Sequence, residues 1–341
     1  MQLKRTAQRD AFIELFEVWE EALPVLDLMV EPDEITLVVA MNGESLSDKE
    51  IARRTEFSDD QLSLLLNSAF SRSIINRKKS HNAWIYTQAT FQERLVHVVK
   101  FGAWNDIPAS IRRALDLRSL TRYIDENRLR LEQKKEHDPH NDAVLLLHEC
   151  EEMIENARNI VIQPCDCRRF GQHCNRPVDV CFVFDEEAED LLARGKGQVF
   201  TKEQAITLVR QADKKGLIHT GDAEWQTNGL RALCNCCACD CYPFRAADSL
   251  QSKGTWPKSR YLAVVDRTRC TYCGTCVKRC HFDAFIKLPE TVTVQGKKRQ
   301  RVAYDPDKCW GCGLCASSCK PGSISMKKLQ VATPPGVCEP D

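Results

Sequence analysis

"CTYCGTCVKRC" at residues 270–280 and "CWGCGLCASSC" at residues 309–319 share one spacing, C-x2-C-x2-C-x3-C. They belong to an internal repeat with an offset of 39 residues, "VVDRTRCTYCGTCVKRCHFDAFIK" against "AYDPDKCWGCGLCASSCKPGSISMK". Within it Asp266 matches Asp305 and Phe285 matches Ile324. A triple C-x2-C-x2-C run wraps the backbone round one centre, and thiolates are soft ligands suited to zinc or iron–sulfur clusters. Gly274 and Gly313 ease so tight a loop. Four-ligand zinc sites normally pair two C-x2-C knuckles, so the triple run favours iron–sulfur over zinc.

These motifs resemble the bacterial two-cluster ferredoxin domain across residues 256–341. The resemblance implies two [4Fe-4S] clusters, with the fourth cysteine of each motif donated to the other cluster. One set would then be Cys270, Cys273, Cys276 and Cys319, and the other Cys309, Cys312, Cys315 and Cys280. The chain departs from the family pattern in two places. The proline expected after each fourth cysteine is His281 in the first motif and is displaced to Pro321 in the second. Between the motifs lies an insertion, "LPETVTVQGKKRQRVAYD", which reads as a β-hairpin with Gln295-Gly296 at its tip.

Upstream, residues 159–255 form a cysteine-rich metal-binding module. "VIQPCDCRRFGQHCNRPVDVCFVF" supplies Cys165, Cys167, Cys174 and Cys181, and "RALCNCCACDCYPF" supplies Cys234, Cys236, Cys237, Cys239 and Cys241. A helix is predicted between them, with Ala205, Leu208, Val209 and Ala212 as its apolar stripe and Gly216 as its stop. Neighbouring cysteines seldom reach disulfide geometry, so metal ligation is the better reading. The module resembles the middle region of larger ferredoxin-like proteins found mostly in anaerobes. Three contents stay open: further [4Fe-4S] clusters, structural zinc, or a reactive or sensory metal centre. Arg168, Arg169 and His219 are candidates to tune such a site through hydrogen bonds. Cys338, in "ATPPGVCEPD", is expected to be a thiol outside the metal sites.

The N-terminal body is mainly helical. Residues 1–30 carry an amphipathic helix over 8–23, with Phe12, Leu15, Phe16, Trp19 and Leu23 on one face. Residues 31–105 resemble a winged helix-turn-helix: "DEITLVVAM", then "SDKEIARRT" with Ser47 and Glu50 as a capping box, then a third helix capped by Ser58 and Gln61. "INRKKSHNAWIYTQA" reads as the wing. Arg72, Arg77, Lys78 and Lys79 suggest nucleic-acid binding, but Asp59 and Asp60 occupy the helix start that should meet phosphate. Nucleic acid is therefore not expected as a partner. Residues 106–158 are a charged helical connector, interrupted at Pro139, followed by an amphipathic helix over 143–160 that carries His148 and Cys150 as packing residues.

Charge is balanced over the 341 residues, with 48 Lys/Arg and 48 Asp/Glu, but it is not evenly distributed. Residues 242–341 hold 17 basic against 8 acidic groups, and residues 1–241 hold 31 against 40. Small ferredoxins of this type are usually acidic, and a basic one should have a raised potential and a different partner. The 19 cysteines, the lack of a signal-peptide pattern and the lack of an apolar span point to a reducing cytoplasm. The expected fold is α+β and multidomain. The expected function is one-electron transfer to a protein redox partner or within a larger oxidoreductase complex. A redox-sensing transcriptional regulator and an enzyme with an unusual central metal centre are the alternatives. No dinucleotide-binding fingerprint, P-loop or nucleophile constellation is present.

Overall fold

The computed structural model describes residues 2–80, 83–133 and 141–329. The predicted break at Pro139 and the thiol of Cys338 lie outside the described residues. The chain divides into two compact units, Met1–Leu129 with Arg158–Phe200, and Arg130–Ala157 with Thr201–Asp341.

The first unit begins with α1 (Gln2–Leu15), a 3-10 turn at Glu20–Val25 and α2 (Leu26–Met29). The single helix expected over 8–23 is thus two segments. Glu17 adopts a left-handed φ of 51° and Val18 N–H returns to Ile13 O at 3.0 Å, a helix ending usually marked by glycine. Phe12 and Phe16 still enter the core, but Leu23 is turned outward.

Next come α3 (Pro32–Met41), β1 (Leu46–Ser47), α4 (Asp48–Arg54), α5 (Asp59–Ser71), β2 (Ile75–Ser80), β3 (Ala83–Gln88) and α6 (Phe91–Phe101). β3 lies between β1 and β2 and is antiparallel to both. Three helices open with reciprocal caps: Ser47 with Glu50, Ser58 with Gln61, and Thr90 with Glu93. Each cap satisfies otherwise unpaired N–H groups and contributes about 1 kcal/mol.

After α7 (Ala109–Glu132) the chain enters the second unit through β4 (Ala143–Leu145) and α8 (Leu147–Asn156). The sequence pattern predicted one helix over both. Ala143, Val144 and Leu145 are all buried and pair with β8 (Ile218–Gly221); an all-apolar run has no polar face from which to tell strand from helix. The first unit resumes with β5 (Ile160–Pro164), α9 (Asp166–Gly171), β6 (Asp179–Phe184), α10 (Asp185–Ala193) and β7 (Gln198–Val199). β5 pairs antiparallel with both β6 and β7.

The remainder belongs to the second unit. α11 (Lys202–Lys214), capped by Thr201 and Gln204, leads through Gly216 at φ 78° into β8. The described helix buries Ala205, Val209 and Ala212 of its predicted stripe. α12 (Trp225–Asn228), β9 (Ala232–Cys236) and α13 (Tyr242–Leu250) follow, with β9 antiparallel to β8. Then come β10 (Tyr261–Val265), α14 (Thr275–Arg279), β11 (Phe285–Val294), β12 (Lys297–Tyr304), α15 (Leu314–Ser317) and β13 (Ile324–Lys328). β10 pairs with β13, the far end of the repeat, while β11 and β12 make a long hairpin turning at Gln295 and Gly296, both at positive φ. No helix among the described residues is long and apolar enough to cross a membrane.

One buried titratable group makes the first unit acid-sensitive. His97 on α6 is 7% exposed, sits 3.4 Å from Ser73 Oγ, and is pushed down to about 3 by burial and by Arg94, Lys196, Arg72 and Arg194. The unfolded chain protonates this imidazole near 6.5 and the folded chain does not, so its contribution is intact above 6.5 and falls as pH drops toward 3. By pH 5 the loss is about 2 kcal/mol. Denaturant unfolding at pH 7 and pH 5 should show this difference shrinking by about that amount in His97→Gln.

Candidate metal centres

The two cysteine motifs sit at equivalent places of a pseudo-symmetric pair. Asp266 N–H donates to Ser323 O, and its repeat mate Asp305 N–H donates to Ala284 O, both at 2.8 Å. Each aspartate side chain then accepts a backbone N–H two residues on, from Thr268 at 2.9 Å and from Asp307 at 3.0 Å. These Asp turns launch each loop at its first cysteine. Tyr272 and Gly311, the matched second residues, have φ of 49° and 68°, and Gly274 and Gly313 have φ of 75° and 76°.

Two recesses open between the repeats. One, of about 410 Å³, is lined by Cys270, Cys273, Cys276 and Cys319, with Phe285 and Val302 forming part of its wall. The other, of about 310 Å³, is lined by Cys309, Cys312, Cys315 and Cys280, with Trp310 and Phe282. Each therefore meets three thiols of one motif and the last thiol of the other. Phe285 borders both.

The thiols differ in ionisation. Hydrogen bonding from the Thr275 hydroxyl, 3.3 Å away, holds exposed Cys273 below the usual thiol range. Burial pushes Cys276 up to about 11 and Cys312 up to about 12, and it raises Cys315 further. A cation held in the recess would offset that desolvation and let these thiols ionise, as metal ligands must. The donor set thus fits a thiolate-bound metal group.

The second recess is tied firmly to the rest of its unit. Arg279, next to Cys280, donates to Asp213 O at 2.6 Å and Lys214 O at 2.7 Å, capping the carbonyl end of α11. Asp213, 6% exposed, also accepts from Ser317 Oγ at 3.0 Å. His281, the residue after Cys280, places Nε2 2.7 Å from Gly216 O. The sequence reading did not single out Asp213, Arg279 or Ser317. Asp213 lies in "QADKKG", which has the look of a solvated helix end.

Of the central cysteines, Cys234, Cys236 and Cys241 join an apolar cluster with Phe244, Trp310, Leu314 and Cys312. The dense stretch therefore packs against the second ferredoxin loop. Phe244, Phe282 and Trp310 form a triangle with ring separations of 5.1–5.5 Å. Buried Cys237 and exposed Cys239 both point thiols at the fully buried Asp240 carboxylate, 3.7 Å from each. His219, also fully buried, has Nδ1 2.7 Å from Asn235 Oδ1 between Cys234 and Cys236. In the first unit, hydrogen bonds from Cys167 and then Cys181 hold the thiol of Cys165 well below its ordinary range, so these three side chains converge. Cys174 is half-buried on the stretch between α9 and β6. Arg168 is buried and donates to Pro177 O, and Arg169 donates to Lys100 O at 2.7 Å.

Comparison with known proteins agrees with the C-terminal geometry. The 4Fe-4S dicluster domain family matches residues 269–323. Over 61 residues the chain is 36% identical to the polyferredoxin protein MvhB of Methanothermus fervidus, a stretch covering 17% of this chain and 14% of that protein. The chain thus matches only a small part of that relative's length. No solved structure matches the chain. Residues 269–323 form a ferredoxin-type 4Fe-4S domain within a mixed α/β chain.

Two glycines at positive φ meet different surroundings. A Cβ at Gly311 would stand 2.1 Å from Tyr261 O on β10, while one at Gly296 on the hairpin tip meets nothing within 4 Å. Both have positive φ, so alanine at either place costs about 1–2 kcal/mol of backbone strain. Gly311→Ala must in addition displace β10. Thermal melts should show a small loss for Gly296→Ala and a far larger one, with lost iron, for Gly311→Ala.

Proposed function

We propose that this chain is an iron–sulfur electron-transfer protein or subunit, carrying two [4Fe-4S] clusters in its C-terminal domain. Cys270, Cys273, Cys276 and Cys319 hold one, and Cys309, Cys312, Cys315 and Cys280 hold the other. The observation that carries this reading is the lining of each recess by three thiols of one repeat and one of its mate. Each cluster, when bound, takes up and gives back a single electron.

The surrounding residues set the terms of that exchange. Phe285, which is buried, borders both recesses and presents an apolar surface to each. Cationic surplus in the C-terminal hundred residues favours the more reduced, more negative state and raises the potential. Asp213 and Arg279 hold the Cys280 loop in place. The nine central cysteines are proposed to bind further metal, as additional [4Fe-4S] clusters or zinc, with Cys234, Cys236 and Cys241 nearest the second recess. Their shared packing with Trp310 and Cys312 supports a continuation of the electron path.

The partner is proposed to be a redox protein or the remainder of an oxidoreductase complex in a reducing cytoplasm. Residues 31–105 are proposed to be a winged-helix unit used for docking, supported by the order of α3, β1, α4, α5 and the β2–β3 ribbon. Asp59 and Asp60 in the first turn of α5 weigh against nucleic acid there.

Paired substitutions test the exchange of ligands. Cys270→Ser and Cys319→Ser should each remove the same cluster, and the double variant should lose no more than either alone. Cys270→Ser with Cys280→Ser should remove both clusters, or about eight irons. Iron and sulfide analysis with electron paramagnetic resonance of the reduced protein reads the result. Loss of both clusters in the Cys270/Cys319 pair would show that each motif serves its own.

A further inference from the structure

The thiols of the two recesses differ in access. Cys273 at the edge of the first is exposed, whereas none of the second's thiols is and its Cys315 is buried. Cys273 is therefore the thiol an external partner can approach most closely. Three cations lie around that edge, with the exposed carboxylate of Asp266 beside Arg267 and Arg269. Arg267 lines the recess and donates to Val302 O at 2.8 Å. Arg269 lies beside Gly322, and the Lys287 stem lies beside Gly274. All three are exposed.

The β11–β12 hairpin extends this basic rim outward. Phe285 and Val302 at its base are walls of the first recess, and Lys287 pairs with Val302. Past that point Lys297, Lys298, Arg299, Gln300 and Arg301 are all exposed, though alternate residues face opposite sides of the ribbon. Among the described residues, nothing covers either face of 297–301. Across residues 285–304 there are five cations and one carboxylate, Glu290.

We infer that this ribbon and the rim of the first recess form one docking surface for an acidic redox protein, which exchanges electrons at the Cys273 edge. The inference rests on the proposed two-cluster function and adds the partner's chemistry and its point of approach. A cationic arm rooted in the wall of the first recess raises the encounter rate with an anionic protein and aims it at that edge. Each productive encounter oxidises this chain by one electron and reduces the partner by one.

The test uses the full chain, purified anaerobically and reduced with dithionite, and two one-electron haem acceptors of opposite charge. Acidic cytochrome b5 and basic cytochrome c are mixed with it in stopped flow at low and high salt. The variant carries Lys297→Glu, Lys298→Glu, Arg299→Glu and Arg301→Glu. Wild type should reduce cytochrome b5 at a rate that falls at least about tenfold with added salt, and the variant should lose at least about tenfold at low salt. Its rate with cytochrome c should rise. Iron content and the reduced spectrum must be unchanged in the variant, and their failure in wild type would sink the two-cluster reading instead. Equal rates for wild type and variant with intact clusters would overturn the inference, leaving the cations as a solubility device on exposed strands. Tighter, charge-dependent binding of the ribbon to duplex DNA or phosphatidylserine vesicles than to acidic protein would overturn it as well.

Discussion

Each recess of the C-terminal domain is lined by thiols from both halves of the repeat, and that shared lining organises what surrounds it. A loop of three close cysteines reaches one centre only if the backbone turns left-handed inside it, which is why Gly274 and Gly313 start their short helices at φ near 75°. The fourth thiol lining each recess sits at the equivalent position of the other repeat, Cys319 for the first and Cys280 for the second. The two halves must therefore interleave, and β10 pairs with β13 rather than with a sequence neighbour. The matched hydrogen bonds of Asp266 and Asp305 hold that interleaving at both ends. Symmetry is incomplete where packing forbids it. Tyr272 tolerates a left-handed backbone in the open first loop, but its mate lies against the β10 carbonyls and must be Gly311.

From this shared plan the two recesses diverge in surroundings. The first keeps an exposed thiol and sends its wall outward as a cationic hairpin. The second turns inward, packing Trp310 and Cys312 against Cys236, Cys241 and Phe244. A domain with one face to solvent and one against further thiols has a direction built into it. The asymmetry arises from sequence outside the motifs: the insertion on one side, and "CNCCACDCYPF" on the other.

Much of this was legible in the sequence, and the reasons are physical. Ligand spacing is short-range and chemically strict, so both motifs and the repeat could be read directly. Capping boxes at Ser47 and Ser58 are local too, and the hairpin turn at Gln295-Gly296 follows from glycine's tolerance of positive φ. The misses involved choices made by tertiary context. Glu17 ends α1 in a conformation that nothing in its side chain announces. Ala143–Leu145 form a strand because β8 offers it a partner. Asp213 looks like a surface carboxylate until the fold brings Arg279 and Ser317 to it.

That last contact bears on how the backbone after Cys280 is held where the sequence has histidine and not the proline expected from the ferredoxin resemblance. Proline would restrict the backbone after the ligand by its own ring. Here the restriction comes from outside, through Arg279 on two carbonyls at the end of α11 and His281 on Gly216. Arginine suits the task because its planar fork meets two acceptors at once, which a lysine ammonium does with less directional control. The arrangement has a consequence a proline could not supply. It fastens the Cys280 loop to the segment that leads through Gly216 into β8, whose neighbour β9 carries Cys234 and Cys236. The position of a ferredoxin thiol and the position of the central thiols in the same unit are thereby set by one short stretch of chain.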